Sequence, residues 1–265
     1  IKNGKVLWAK NFGIPFRSEI KIINEQLFIA DQDNTLFSLN PLNGDVNWQY
    51  SSSLTALKSN FKNSIVGNKS EDVFFLNTNG ELYSIDSTFK KVNWVLNFQE
   101  SLSNRLNEKL FYSLPLIADE KYIYVTLKDK LIILDANSGI SILTKSISLS
   151  IPPIILGKNV FLINDNNLVI SVDISNGNID WSKNIFKNIQ ELGIKKHKIG
   201  KLNSLLAINN YLQLTTSNGY FILIKPKDGS IYKLNKFKNK IAFKPVILNG
   251  SLFLFDKNKK MIKVN

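Results

Sequence analysis

The sequence predicts an all-β protein, a β-propeller of about six four-stranded antiparallel sheets, or blades. A glycine followed four residues later by tryptophan, or a degenerate copy of that motif, returns at intervals of 38 to 52 residues along the 265-residue chain. These intervals are close to the length of one blade. Three apolar runs typical of strands precede the motif, and polar turn residues separate the last two of them. Each repeat is therefore predicted to hold four strands, with the motif on the last.

The Gly-x-x-x-Trp motif marks the fourth strand of each repeat. Its tryptophans are Trp8, Trp48, Trp94 and Trp181, and its glycines are Gly4, Gly44, Gly139, Gly177 and Gly229. Leu143 and Lys233 occupy the tryptophan position in the remaining two repeats. In four repeats a polar residue begins a turn that ends at the glycine, and in three of these it is an Asp or Asn, whose side chain can bond its own backbone two residues on. We interpret these acidic and amide residues as turn formers and not as catalysts.

Three further runs in each repeat are rich in β-branched and aromatic residues, which favour strands. The third runs span 36–40, 82–86, 131–135, 169–173, 221–225 and 261–265, and the second span 27–30, 73–76, 122–125, 160–163, 211–214 and 252–255. The first runs span 18–22, 64–66, 114–117, 153–156, 205–208 and 245–248. Short polar turns join the second run to the third, as in hairpins. Only the segment 99–110 has apolar spacing that permits a short helix.

The phase of the two termini predicts how the ring closes. The chain begins with a fourth strand at 4–10 and ends with a third strand at 261–264, so the N-terminal strand is expected to complete the last blade. We expect one propeller domain over 1–265. Its blades are 11–50, 51–96, 97–145, 146–183, 184–235, and 236–265 with 1–10. The alternative is a cropped seven- or eight-bladed propeller, because the chain starts at Ile1 and an N-terminal signal or lipid anchor is expected to be missing.

The amino-acid composition narrows the classes of function that this protein can have. The chain carries 34 lysines and arginines against 21 acids, a formal charge of +13, but only Arg17 and Arg105 are arginines. Bidentate phosphate recognition favours arginine, so we interpret the charge as a bias of composition and expect no nucleic-acid partner. A propeller that binds an anionic partner stays an alternative. The absence of cysteine excludes disulfides, thiolate chemistry and zinc sites with cysteine ligands.

The repeat resembles the PQQ-like β-propeller family, in which the tryptophan packs between neighbouring blades. The resemblance implies that the blades with Leu143 and Lys233 are held less firmly. One branch of the family contains quinoprotein dehydrogenases, which need a quinone, calcium and a catalytic carboxylate. The other branch contains BamB-like outer-membrane assembly factors, which are not enzymes. Because the acids are scattered and calcium needs clustered oxygen ligands, we favour the second branch and expect no catalytic, cofactor-binding or metal-binding residue. A quinoprotein dehydrogenase or a truncated relative stays an alternative.

Two long connections between repeats are the candidate partner-binding loops. The first spans about 98–112 and carries Arg105 and Lys109, and the second spans about 184–201. The second carries Phe186, Lys187, Ile189, Leu192, Lys195, Lys196, His197 and Lys198. Both are expected on the same face of the propeller, and long loops on a rigid scaffold often carry function. A neutral insertion is an equally good interpretation of either loop.

The BamB-like resemblance also implies partners and a location. It implies that the protein binds other envelope proteins, namely the outer-membrane assembly machinery, and is a monomer outside that complex. It further implies a periplasmic protein associated with the outer membrane, with peripheral membrane attachment through a lost N-terminal anchor.

Overall fold

Antiparallel strands build six sheets in the computed structural model, which describes residues 5–54, 61–99, 111–248 and 250–264. The chain divides into two compact units, Ile1–Ser146 and Ile147–Asn265, each with three sheets. Within each sheet the strands follow chain order, so that only hairpins connect neighbours. The predicted all-β fold with six repeated antiparallel sheets is confirmed, whereas the extent of a single domain over 1–265 stays a prediction.

The first unit holds three four-stranded sheets. The first sheet is β1 (Lys21–Ile23), β2 (Gln26–Ala30), β3 (Thr35–Leu39) and β4 (Val46–Ser51). The second is β5 (Ser64–Gly67), β6 (Asp72–Leu76), β7 (Glu81–Asp86) and β8 (Lys91–Asn97). The third is β9 (Ile117–Ala118), β10 (Tyr122–Thr126), β11 (Lys130–Asp135) and β12 (Ser141–Ser146).

The second unit holds the other three sheets and two short helices. The fourth sheet is β13 (Leu149–Leu156), β14 (Asn159–Asn164), β15 (Leu168–Asp173) and β16 (Ile179–Asn184), followed by α1 (Ile185–Glu191) and α2 (Lys196–Ile199). The fifth is β17 (Leu202–Ile208), β18 (Tyr211–Thr216), β19 (Tyr220–Ile224) and β20 (Ile231–Lys236). The sixth is β21 (Val246–Leu248), β22 (Ser251–Phe255) and β23 (Met261–Val264).

The second and third strands of the first five sheets carry most of the core, as their nearly continuous apolar runs predict. Every residue of β6 is buried, and four consecutive residues of β11 and of β14 are buried. The fourth strands instead alternate between exposed and half-buried residues, as in β8. One face of each fourth strand therefore packs on the core while the other meets solvent.

A repeated tryptophan–glycine contact ties the second sheet to the third, the fourth sheet to the fifth, and the N-terminal segment around Trp8 to the first sheet. The indole Nε1 of Trp8 donates to the backbone oxygen of Pro41 (3.0 Å), that of Trp94 to Ala136 (3.2 Å) and that of Trp181 to Pro226 (2.8 Å). In all three cases the indole covers a turn glycine: a Cβ added to Gly44, Gly139 or Gly229 would lie within 3 Å of ring carbons. We call each such pair an interlock.

Trp48 is the exception among the four tryptophans. By its place in the repeat it should cover the turn between β7 and β8, where Lys90 replaces the glycine with a φ of +57°. The Nε1 atom of Trp48 is buried and has no hydrogen-bond partner among the residues that the structure describes. Trp48 and Lys90 also line a cavity of about 400 Å³, together with Ser87 and five other polar residues. The fourth interlock is thus incomplete.

The turns before the motif glycines have the chemistry that the sequence predicts. The backbone amide two residues on donates to the side chain of Asn40 (2.8 Å), Asp86 (2.9 Å) and Asp173 (2.8 Å). Gly177, the remaining motif glycine of the described residues, has a φ of +70° and donates its amide to the oxygen of Asp173. These acidic and amide side chains therefore close turns.

Two expectations about secondary structure need correction. The N-terminal strand predicted at 4–10 is not a strand in residues 5–10, Gly4 lies outside the described residues, and the sixth sheet has three described strands. Ring closure through the N-terminus stays a prediction. The helix predicted at 99–110 lies outside the described residues except for Gln99, whereas helices α1 and α2 form in the segment 184–201. Those helices are seven and four residues long, too short to give a sustained helical period.

Candidate partner-binding site

Helix α1 anchors the segment 184–201 to the core of the second unit. The Asn184 side chain accepts a hydrogen bond from the Lys187 amide (3.1 Å) and so caps the first turn. The spacing of Ile185, Phe186 and Ile189 puts these three residues on one helix face, where they are buried. They join the apolar cluster between the fourth and fifth sheets. The segment is therefore part of the packed structure and not a loosely attached loop.

Helix α2 is clamped to the turn between β18 and β19. The Thr216 hydroxyl donates to the oxygen of Ile199 (2.6 Å), and Ser217 exchanges two hydrogen bonds with the backbone of Lys201 (2.8 and 3.0 Å). The Asn218 amide donates to the oxygen atoms of the residues preceding Ile199, at 3.1 and 3.4 Å. Gly200 permits this approach, because a Cβ there would lie 2.5 Å from the Ser217 hydroxyl oxygen.

A cavity of about 950 Å³ opens beside the two helices. Helix α1 and the segment around α2 provide part of its wall, and the turns between the second and third strands of the fourth, fifth and sixth sheets provide the rest. The lining residues are Asn167, Phe186, Gln190, Lys195, His197, Gly200, Lys201, Ser217 and Lys257. We call this the basic cavity. Its size lies in the range of ligand-binding pockets.

The strand directions explain why these segments converge. In a four-stranded antiparallel sheet with hairpin connections, the turn after the second strand and the connection after the fourth lie at the same end. The segment 184–201 follows the fourth strand of the fourth sheet, and the cavity turns each follow a second strand. The interlock turns, which follow third strands, lie at the other end of the sheets.

Positive charge dominates the basic cavity. Its described lining contains three exposed lysines and His197 but no carboxylate. Asp256 precedes Lys257, yet its buried carboxylate accepts hydrogen bonds from the amides of Asn258 and Lys260 and from the side chain of Asn239. The backbone hydrogen bond from Lys260 makes the largest contribution to lowering the pKa of Asp256. This carboxylate is therefore committed to its own turn.

Lys236, which lies outside the cavity, stabilises the β18–β19 turn that holds helix α2. The Lys236 ammonium donates to the Asn218 oxygen and lies 4.5 Å from the centroid of the Tyr220 ring. Burial, together with the positive charge of Lys240, lowers the pKa of Lys236. The Lys236 ammonium thus stabilises the turn that holds α2, and the backbone that carries the cavity lysines is fixed.

The residues predicted for the second loop separate into lining, buried and exposed positions. Lys195, His197 and Phe186 line the basic cavity, although Phe186 is largely buried. Ile189, named as part of the candidate partner-binding loop, is fully buried, and its side chain completes the core and is not accessible to a partner. The side chains of Lys187, Leu192 and Lys198 are exposed outside the lining, and Lys196 is the first residue of α2. Arg105 and Lys109 of the first loop lie outside the described residues.

The sequence interpretation missed six lining residues: Asn167, Gln190, Gly200, Lys201, Ser217 and Lys257. Three of them belong to the hairpin turns between second and third strands, whose sequences indicate only turns. The topology alone could have identified these residues, because their turns must lie at the same end of the sheets as the long connections. A search for charge at that end, and not along one loop, would have found Lys257.

No group of three or more histidine, aspartate or glutamate side chains in the described part could hold a metal ion. No helix among the described residues is long and apolar enough to cross a bilayer.

Comparison with known proteins places the repeat in a family. The family model described as outer membrane protein assembly factor BamB matches residues 1–183, more than half of the chain. This chain belongs to the BamB family. The crystal structure of BamB from Moraxella catarrhalis superposes with a TM-score of 0.70 at 14% identity, covering 99% of this chain and 76% of that one. The resemblance to a PQQ-like, BamB-like propeller is therefore confirmed.

Other solved propellers share the fold with this BamB-family chain at lower similarity. Hsv2 from Kluyveromyces lactis gives a TM-score of 0.60 at 9% identity, covering 95% of this chain and 74% of that one. Hsv2 from Kluyveromyces marxianus gives 0.59 at 8% identity, covering 95% and 76%. No curated protein sequence matches the chain. At these identities the structural matches show the propeller fold alone.

Proposed function

We propose that this protein is a non-enzymatic, protein-binding scaffold in outer-membrane protein assembly. The observation that carries the proposal is the BamB family match over residues 1–183, together with a BamB structure that covers 99% of this chain. The proposal places the protein in the periplasm at the outer membrane, bound to other envelope proteins and monomeric outside that complex. No nucleic-acid partner is included.

The geometry of the second unit supports a binding role. The basic cavity is lined by exposed polar and charged side chains on a backbone that hydrogen bonds and a buried helix face hold in place. Rigid presentation of a surface lowers the ordering cost of binding. The cavity end of the sheets is also separate from the interlock end, so binding there leaves the interlocks undisturbed.

Site-specific crosslinking in envelope membranes tests the proposal. A photoreactive residue at Lys198, beside the basic cavity, is expected to capture components of the outer-membrane assembly machinery. The matched control is the same residue at Lys227, which is exposed in a third-to-fourth strand turn at the opposite end of the fifth sheet. If neither position captures an assembly component above a sample without irradiation, the proposed function is wrong.

The non-enzymatic part of the proposal has its own test, because quinoprotein dehydrogenases share the repeat. Titration of the chain with pyrroloquinoline quinone and Ca²⁺ is expected to show no saturable binding by calorimetry. Saturable binding of the quinone that depends on Ca²⁺ would instead support the dehydrogenase alternative.

A further inference from the structure

We propose that the basic cavity binds an acidic, extended peptide segment of a partner protein, an inference that rests on the proposed scaffold function. It assigns the cavity a ligand class and names Lys201 and Lys257 as the residues that recognise it. These two lysines come from different parts of the second unit, the end of the segment 184–201 and the β22–β23 turn. Because both lysines line the same cavity, one ligand in it can contact residues from two different sheets.

Charge is the first argument for an acidic ligand. The segment 184–201 contains five lysines and one glutamate, and Lys257, from the β22–β23 turn, adds a further positive charge to the lining. The acids in the adjacent turns are engaged: Asp256 in its own turn, and Asp165 as acceptor of the Ser148 hydroxyl hydrogen bond. An anionic ligand thus finds lysines that no lining carboxylate neutralises, and electrostatic attraction increases its association rate.

Size and polar lining favour a peptide over a single small anion. The volume of about 950 Å³ is at the upper end for a small-molecule pocket. Between the lysines lie the amide side chains of Asn167 and Gln190 and the hydroxyl of Ser217, groups that pair with a peptide backbone. Phe186 gives one wall an apolar surface. The lining contains no arginine, the residue whose planar fork matches a phosphate.

The rigidity of the walls is the second argument for a binding site. Lys201 is fixed through its backbone to Ser217, and Gly200 lies directly against Asn218. The neighbouring helix α1 is anchored by Ile185 and Ile189 in the core. Only the lysine side chains need to order when a ligand enters, which reduces the entropic loss of binding.

Fluorescence anisotropy with a labelled 12-residue peptide rich in Asp and Glu tests the inference on the full chain. The wild type is expected to bind it at low salt, with affinity falling as salt increases. The double variant Lys201→Gln/Lys257→Gln is expected to bind at least tenfold more weakly. The matched control Lys227→Gln/Lys233→Gln removes the same charge from exposed positions outside the cavity of the same unit. It is expected to stay within about twofold of the wild type, and melting curves verify that all variants fold.

Three outcomes overturn the inference. Equal losses in the two double variants mean that the peptide senses only net charge. Undiminished binding of an Asn/Gln version of the peptide means that acidity is irrelevant. Binding of anionic phospholipid vesicles or inorganic phosphate, but not of the peptide, in a manner that depends on Lys201 and Lys257 assigns the cavity to a different ligand.

The envelope crosslinking experiment separates this inference from the proposed function. With the photoreactive residue at Lys198, the Lys201→Gln/Lys257→Gln variant is expected to lose the assembly components that the wild type captures. If the variant captures them as well as the wild type does, the scaffold function stands and the acidic-peptide inference is wrong. If even the wild type captures none, the scaffold function itself fails, whatever the isolated peptide does.

Discussion

Trp181 and Trp48 occupy the same position in two repeats, but only Trp181 makes the contact with the turn of the next sheet. Trp181 covers Gly229 and donates to the Pro226 oxygen, whereas Trp48 meets a turn in which Lys90 stands in the glycine position. Both indoles keep an aromatic neighbour on the second strand, at centroid distances of 6.0 and 5.7 Å. Packing onto the indole's own sheet therefore survives where the link to the next sheet is incomplete.

The difference teaches that the glycine matters for two reasons. It adopts the positive φ that the turn requires, and it leaves space for the indole of the preceding sheet. Lys90 retains the first property, with a φ of +57°, but has a Cβ where the complete interlocks have none. The unpaired Trp48 Nε1 and the cavity beside it accompany this substitution. The tryptophan alone is therefore not sufficient for an interlock.

The largest expected effect is that of removing a complete interlock. Trp181→Ala should lower the free energy of unfolding by about 3 kcal/mol, since it removes a large ring and a hydrogen bond. Trp48→Ala should lower it by about 1 kcal/mol less, because its Nε1 has no partner to lose. Urea denaturation followed by circular dichroism measures both. Equal losses of stability in the two variants would contradict the distinction between the complete and the incomplete interlock.

Crowding the turn glycine should have the next largest effect. Gly229→Ala places a Cβ 2.6 Å from the Trp181 ring at a φ of +69°, so we expect a loss of about 2 kcal/mol. Lys90→Ala is the matched control, since it changes a residue that already has a Cβ at the same turn position. It should change stability by less than about 0.5 kcal/mol. A similar loss at the two positions would show that the indole does not require the glycine.

Acid should weaken the complete turn at Gly177 through Asp173. The hydrogen bond from the Lys158 ammonium (2.8 Å), followed by those from Ser175, lowers the pKa of Asp173 to about 2. Because an unfolded aspartate has a pKa of about 3.9, the charged group stabilises the fold above that pH and loses its effect as pH falls toward 2. Asp173→Asn should therefore lower the urea midpoint at pH 7 but not at pH 2. A pH-independent difference would contradict this assignment.

Restoring the missing glycine is expected to give the smallest effect, with the opposite sign. Lys90→Gly removes a non-glycine residue from the left-handed region and frees space for Trp48, although it increases the flexibility of the unfolded chain. We expect a net gain of about 0.5 kcal/mol in urea denaturation. In the Trp48→Ala background the gain should shrink, since no indole remains to occupy the space, and an unchanged gain would attribute the effect to φ alone.

The sequence predicted the repeat well because its signals are local. Strand runs, turn residues and the Gly-x-x-x-Trp spacing each lie within a few residues, and the sheets form where those signals occur. One regularity was overlooked: the three tryptophans of β4, β8 and β16 lie opposite buried serines, Ser38, Ser84 and Ser171. Where Leu143 or Lys233 replaces tryptophan, the opposite residue is Ile133 or Leu223. The size of one cross-strand partner thus compensates for the size of the other.

The candidate site could be predicted only in part, because its walls are distant in sequence. Lys195 and His197 were identified from a long connection, but Lys257 reaches the same cavity from a hairpin in another sheet. The burial of Ile189 was missed because helix α1 makes only two turns, which gives too few residues for a helical period. Such convergence depends on packing between sheets, which the sequence encodes through many weak contacts.

The interlocks also impose an order in time on the growing chain. Each indole precedes its acceptor by 33, 42 or 45 residues, so each tryptophan is synthesised before the turn that covers it exists. At 5 to 20 residues per second, 42 residues take about 2 to 8 s to appear. During that interval the indole surface is exposed to solvent. The following repeat then covers it. The time that each following repeat takes to emerge therefore determines how long the uncovered indole can promote aggregation.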